Sequence, residues 1–274
     1  MLVFTCKLIK KIGTSNTLST ANEITYKLLF AFFPFLIFLL TVMGFFTLDI
    51  FSLTNLIEGI VPEDVLLFIE GIAGDVINVR RPQVLSISLL FTIFSASMGF
   101  KSLLKGINRA YYDETYDRST VKILGLSLLL VNIFSVVLVA SLSILIFGDN
   151  IIYILDSFFN FHESFEIILK IVSMTISIFM MLFVAVLINK LALSNKTPIK
   201  KLLPGAAFTV IMWVVSSIGL SIYVKNFARF ASVYGSVAGI MVFMIWLNII
   251  CTVVLIGSAI NSILFEKDFN VYKT

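Results

Sequence analysis

The stretch SASMGFKSLLKGINRAYYDE, residues Ser95 to Glu114, leaves an apolar run and gathers two lysines, an asparagine and an arginine at helical spacing. Residues three and four apart are neighbours on a helix, so Ser97, Lys101, Lys105, Asn108 or Arg109, and Tyr112 should share one side. The chemistry open to such a stripe is anion binding, because cations clustered near an inner leaflet attract phosphate-bearing head groups. The plainest account is different: these cations orient the protein in a membrane and complement the negative carboxyl end of their helix. Contact with a partner protein is a third account.

A second group lies in ANEITYKLLFAFFPF, where Glu23 and Lys27 stand four apart in the favourable order and can neutralise each other at a membrane edge. Tyr26, Phe30 and Pro34 share a face there, and Pro34 removes a backbone hydrogen bond and should kink the helix. Such a kink serves packing, or lines a pathway as broken transporter helices do. Near the carboxyl end Gly235, Gly239, Val242, Trp246, Ile250, Val253, Gly257 and Asn261 recur on one face suited to close helix contact. Trp246 and Trp213 sit mid-run, away from an interfacial belt, and are expected to face protein or a cavity. The amides of Asn132 and Asn248 need partners in a dry medium; bonds between helices are the expectation, with a hydrated groove as the alternative.

Signals for catalysis are poor. The one histidine, His162, adjoins Glu163 in a polar connection without a second histidine at H-E-x-x-H spacing or a nucleophile partner. Asp49, Glu58, Glu63, Asp64, Glu70 and Asp75 are spread along an amphipathic segment rather than gathered in a metal-binding pattern. Cys6 and Cys251 form neither a disulfide framework nor a ligand set, and they leave the redox compartment open. There is no phosphate-binding glycine loop, and the short basic segments give no nucleic-acid-binding domain. No cofactor and no metal are expected.

The elements that must position these residues follow from composition. Hydrophobic residues make up 59% of the 274, charged residues 13%, and the mean hydropathy is +1.06, far outside the soluble range. A bilayer span needs about 20 mostly apolar residues, and six windows supply them: Leu28–Leu48, Val84–Leu104, Ile123–Phe147, Ile167–Asn189, Leu203–Val224 and Val237–Leu264. Six spans put both ends on one side. Of the 20 lysines and arginines, 14 fall on that side and five on the other, with Lys27 at a helix edge, so both ends should be cytoplasmic. Residues 50–80 read as an amphipathic extracytoplasmic insertion, its second helix starting at Pro62 with Glu63 and Asp64 in the first turn. Residues 1–20 read as an amphipathic cytoplasmic segment on the inner leaflet, Met1, Phe4, Leu8 and Ile12 on one face and Lys7, Lys10 and Lys11 on the other. The start, MLVFTCKLIKKIG, lacks a cleavage site after a long apolar core and is expected to be retained. The fold class expected is all-α: a single polytopic bundle over 1–274.

The order of motifs resembles the YihY/BrkB family of bacterial inner-membrane proteins, sometimes labelled ribonuclease-BN-like. Ala21-x-x-Ile24-Thr25-Tyr26 with Phe33-Pro34 is similar to that family's A-x-x-L-A-Y…P pattern. Ser95-Ala96-Ser97-x-Gly99 followed by Ile107-Asn108-Arg109-Ala110-Tyr111 resembles its S-A-S…L-N-x-A-Y segment. Pro204-Gly205-Ala206, Trp213, Ser221-x-Tyr223, Tyr234-Gly235-Ser236, Trp246 and Gly257 resemble its carboxyl half. Lys27 and Ala31 depart from it, where an uncharged residue and a serine are usual. The resemblance covers most of the chain and implies a six-helix inner-membrane fold with cytoplasmic ends and a role in envelope integrity or lipid transport. The ribonuclease-like label implies a chemistry for which these residues offer no machinery.

Residues and resemblance together point to a non-enzymatic carrier or translocation-pathway protein of the bacterial cytoplasmic membrane, for a lipid or other envelope component. Tyr26, Pro34, Lys101, Lys105, Asn108, Arg109, Tyr234 and Trp246 are the candidate pathway or head-group contacts. Membrane lipids are the expected partners, with an envelope protein or a second copy as further ones. A structural or accessory membrane protein without transport is the alternative, and an intramembrane enzyme or nuclease a distant third.

Overall fold

Apolar runs of this length cannot expose backbone polar groups to hydrocarbon, and helices are the way one segment satisfies them internally. The computed structural model describes residues 2–45, 82–112, 121–133, 164–193, 197–226 and 236–265. These residues form α1 (Leu2–Thr14), α2 (Thr17–Phe45), α3 (Pro82–Tyr112), α4 (Val121–Ile133), α5 (Ser164–Ala192), α6 (Leu203–Asn226) and α7 (Ser236–Leu264), with a 3-10 turn at Ile199–Lys201 before α6. No strand occurs among the described residues. The expected insertion at 50–80, His162, Tyr234 and Gly235 lie outside them.

Four helices contain stretches long and apolar enough to cross a membrane: Thr17–Phe38, Ser86–Tyr112, Leu203–Val224 and Ala238–Leu264. Shorter apolar stretches occupy Val121–Ile133 and Ser177–Ala192. The helices turn large apolar side chains outward, among them Phe91 and Phe94 on α3, Phe179 and Phe183 on α5, and Ile211 and Ile218 on α6. Only 11% of the α6 stretch is buried. A helix apolar on every side belongs in a larger core or in lipid.

Helix ends alternate at one face of the bundle. Tyr111 at the end of α3 bonds to Asn189 near the end of α5 and to Asn261 near the end of α7, and Asn261 in turn bonds to Gly205 at the start of α6. α2 also begins there: a Cβ on Gly106 of α3 would meet Thr20 and Ile24 of α2 and Leu255 of α7. The buried core gathers at the same face, with Ile24, Leu103, Ile107, Leu130, Leu193, Leu202, Val254 and Leu255 in one cluster.

α1 and α2 meet at a tight turn. The Ser15 hydroxyl caps the Lys11 carbonyl at 2.7 Å, and Asn16 adopts a left-handed φ of 50°, a conformation its short amide side chain tolerates. The amino-terminal helix thus stops at Thr14, short of the expected residue 20, and α2 starts eleven residues before the apolar window at Leu28. Phe4, Leu8 and Ile12 of α1 are half-buried while Lys7 and Lys10 are exposed, as the expected division of faces requires, but Lys11 departs from it and is half-buried like the apolar residues. Pro34 is half-buried inside α2, which runs through it as one helix.

Polar side chains inside these helices bond back to their own backbone. Thr25 donates to the Ala21 carbonyl at 2.7 Å, Thr92 to Ser88 at 2.7 Å, Thr209 to Gly205 at 2.8 Å and Thr252 to Asn248 at 2.8 Å. Each satisfies a hydroxyl that has no water to turn to.

Candidate functional site

Helix α3 supplies the cations, and its burial pattern divides the stripe that the sequence suggests. Ser97 and Asn108 are buried, Lys101 and Arg109 half-buried, and Lys105 exposed. Tyr112 is also buried. The reason is helical drift: each four-residue step advances about 40° around the axis, so Lys105 and Arg109 turn away from the side that Ser97 holds. Asn108 is therefore turned to the interior, on the side that Ser97 holds. Its amide Nδ2 donates to the Ala192 carbonyl at the end of α5, 3.1 Å away, while its Oδ1 is buried without a hydrogen bond among the described residues. Lys101 and Lys105 have neither an ion pair nor a hydrogen bond among the described residues.

Helix α2 packs along α3 through small residues. Gly99, Ser102 and Gly106 face it, and Ser102 meets the Glu23–Lys27 pair there. Lys27 Nζ lies 2.5 Å from Glu23 Oε1 and 2.6 Å from Ser102 Oγ, and Ser102 Oγ is 3.0 Å from the same carboxylate oxygen. The expected neutralisation within α2 is thus present and is tied to the neighbouring helix. On the other flank of α2, Asn248 of α7 donates to Asn22 Oδ1 at 2.7 Å and approaches Thr25 Oγ1 at 3.3 Å. That is the bond between helices expected of Asn248. Asn132 differs: its amide donates to the Leu128 carbonyl of its own helix at 2.9 Å, because it stands on the exposed side of α4.

The outward side of α2 carries Tyr26, exposed and with its ring 4.7 Å from that of Phe30. Trp246 faces protein as expected. Its Nε1 donates to Ser217 Oγ of α6 at 3.1 Å, and its ring meets Trp213 edge-on at 6.0 Å and stacks with Phe243 at 6.1 Å.

Deeper in the bundle lies a second polar assembly. Asn261 uses three of its bonding positions: Oδ1 accepts from the Gly205 N–H at 2.7 Å, and Nδ2 donates to the Leu202 carbonyl at 3.0 Å and to Tyr111 Oη at 3.1 Å. Tyr111 passes its proton to Asn189 Oδ1 at 3.2 Å. Ser258 Oγ lies 2.9 Å from both that oxygen and the Val254 carbonyl, and shares one proton between them. Gly205 N–H is one of the orphan donors of the first turn of α6, so Asn261 caps that helix from across the bundle. Gly257 and Gly205 make this possible by bringing the α6 and α7 backbones into direct contact.

Sequence reasoning placed Asn261 and Gly257 on a packing face but passed over Ser102, Asn22, Asn189 and Ser258. The spacing Gly99, Ser102, Gly106 is a small-residue helix face and is the signal that finds Ser102. For metal, no group of three or more His, Cys, Asp or Glu side chains occurs among the described residues.

The sequence profile of the virulence factor BrkB matches residues 8–272, nearly the whole chain. This chain belongs to the BrkB family. One relative matches with the same reach: YfkH of Bacillus subtilis, named a putative ribonuclease-like protein, is 28% identical over 250 residues, 91% of this chain and 90% of that one. A UPF0761 membrane protein of Tolumonas auensis is 35% identical over 66 residues, 24% of this chain and 22% of that one. No solved structure matches. As a BrkB-family chain with these apolar helices, it is a membrane protein. The matched region includes α2, α3 and the whole polar assembly around Asn261.

Proposed function

We propose that this chain is a non-enzymatic carrier or translocation-pathway protein for a lipid or similar amphipathic envelope component, working in the bacterial cytoplasmic membrane. The observation that carries this reading is the outward side of α3, where Lys101 and Lys105 stand in a membrane-spanning stretch without a partner among the described residues, below the exposed apolar side chains Phe94 and Met98. An ionised group within a span is costly and usually marks a pathway or a ligand. A lipid offers both a phosphate for the cations and acyl chains for the apolar residues. The name of YfkH and the family's ribonuclease-like label point to nuclease chemistry, and no group of three or more His, Cys, Asp or Glu that could hold a metal occurs among the described residues.

The accompanying topology is one unit over 1–274 with six spans and both ends in the cytoplasm. The alternation of helix ends at one face and the excess of lysine and arginine at that face support it. Cys6 and a cysteine introduced at Lys273 are expected to react with an impermeant maleimide only from the cytoplasmic side, with Cys251 replaced by serine. Labelling of the two positions from opposite sides would overturn the six-span arrangement.

A second reading has its own support. The hydrogen bonds around Asn261 join α3, α5, α6 and α7 without a gap, which suits a structural or accessory protein supporting the envelope. Transfer of labelled lipid between leaflets in vesicles reconstituted with the purified chain separates the two. Transfer well above that of protein-free vesicles is expected for a pathway, and a rate equal to theirs selects the structural role.

A further inference from the structure

The pathway reading asks only for an amphipathic cargo, but the seam between α2 and α3 is more selective than that. Glu23 is the seventh residue of the stretch that begins at Thr17, and Lys105 lies seven residues before the end of the one that closes at Tyr112. At 1.5 Å per residue both sit roughly 10 Å inside the same face, where head groups give way to hydrocarbon. Ser102 bonds to Glu23, and Lys105 and Arg109 follow it by three and seven residues, so they run along the same side of α3. Acid and base thus line one seam, with Lys105 about 5 Å and Arg109 about 10 Å nearer the end of α3 than the Ser102 that meets Glu23.

The acid is only half used. The Lys27 and Ser102 contacts all engage Oε1, and Oε2 takes none of them, while the Glu23 side chain is 56% exposed against 34% for Lys27. Lys27 and Ser102 therefore hold the carboxylate through one oxygen, on a side chain that is more than half exposed, and leave the second oxygen for another donor. A carboxylate has about four acceptor positions over its two oxygens, so Glu23 keeps acceptor capacity beyond these contacts. On the neighbouring flank Lys105 presents an exposed ammonium and Arg109 a half-buried guanidinium. Tyr26 and Phe30 continue the outward side of α2 beyond the charges with two exposed rings.

One class of molecule matches all three parts: a phosphodiester for the cations, a protonated amine with N–H donors for Glu23 Oε2, and acyl chains for the rings. The geometry points to a head-group site at this seam for an aminophospholipid of the adjacent leaflet, an assignment that rests on the pathway reading above and names its cargo class. Phosphatidylglycerol offers the phosphate but nothing cationic for the carboxylate. Phosphatidylcholine offers a cation without an N–H. Charge-assisted hydrogen bonds are the strong ones, and Glu23 should discriminate accordingly.

The test is native mass spectrometry of the purified full chain in detergent, offered equal mixtures of lipids with identical acyl chains. Phosphatidylethanolamine should be retained about tenfold over phosphatidylcholine, and its mono- and dimethylated forms should fall in between as N–H donors are lost. Glu23→Gln should bring the ethanolamine-to-choline ratio close to one while retention of both over diacylglycerol persists. Lys105→Gln with Arg109→Gln should remove the retention over diacylglycerol. The methylation series uses the unaltered protein, so it decides the matter even where a variant fails to fold. Equal retention along the series, or a preference for phosphatidylglycerol, overturns the site. Retention as described with no transfer in vesicles overturns the pathway and leaves the site standing, whereas transfer without head-group preference does the reverse.

Discussion

Gly205→Ala is expected to pry α6 from α7 and to lower the stability of the purified protein by about 3–5 kcal/mol, the sum of an overpacked contact and orphaned buried hydrogen bonds. The added Cβ would fall within the van der Waals envelope of the Gly257 carbonyl and of the Asn261 amide. The first obstacle is backbone and cannot swing aside. The second is the side chain that holds the Gly205 N–H, the Leu202 carbonyl and the Tyr111 hydroxyl together, so moving it unpairs three groups in a dry interior. Two further glycines calibrate the effect. A Cβ on Gly99 would come 2.5 Å from Leu28 Cδ2, the mobile end of a flexible side chain, so Gly99→Ala should cost about 1 kcal/mol. Gly219 has nothing within 4 Å of such an atom, and Gly219→Ala should be neutral or slightly stabilising through helix propensity. Thermal unfolding in detergent should rank the three in that order. A Gly205→Ala midpoint level with that of Gly219→Ala would show that the close contact contributes nothing.

Replacing Lys101, Lys105 and Arg109 together by glutamine should reduce lipid transfer in reconstituted vesicles by about tenfold or more, since each removed cation takes with it a charge-assisted contact to a phosphate. Insertion should be unaffected, because Lys7, Lys10, Lys11, Lys122, Lys190, Lys200 and Lys201 keep the charge bias that orients the chain. Folding should also survive, as Lys101 and Lys105 hold no partner among the described residues. Among the single variants, Lys105→Gln should account for the largest share, being the exposed member. Normal insertion with unchanged transfer would reduce these three residues to a topological signal, the plainest account of them in the sequence.

Much of this arrangement is legible along the chain. Glu23 and Lys27 pair because four residues is one turn of helix, a distance that needs no tertiary information. Trp246 and Gly257 read correctly as protein-facing because their neighbours repeat at three and four residues. Asn248 reads as bonding between helices because an amide in hydrocarbon must find a partner. Asn108 is less legible, since it sits one residue from Arg109 and the sequence allows either to continue the cationic stripe. Its inward direction is set by the Ala192 carbonyl, 84 residues away.

The sequence by itself determined that this is an all-helical membrane protein, because hydrocarbon imposes a length and an apolar composition on every segment that crosses it. It also determined which pairs within one helix could neutralise each other. Only the tertiary structure decided that Ser102 joins the Glu23–Lys27 pair and that Asn261 caps α6. Those bonds join residues 56 to 79 positions apart, and nothing in local spacing encodes which helix will lie beside which. Helix periodicity assigns a side chain to a face; the packing of neighbouring helices decides what that face meets.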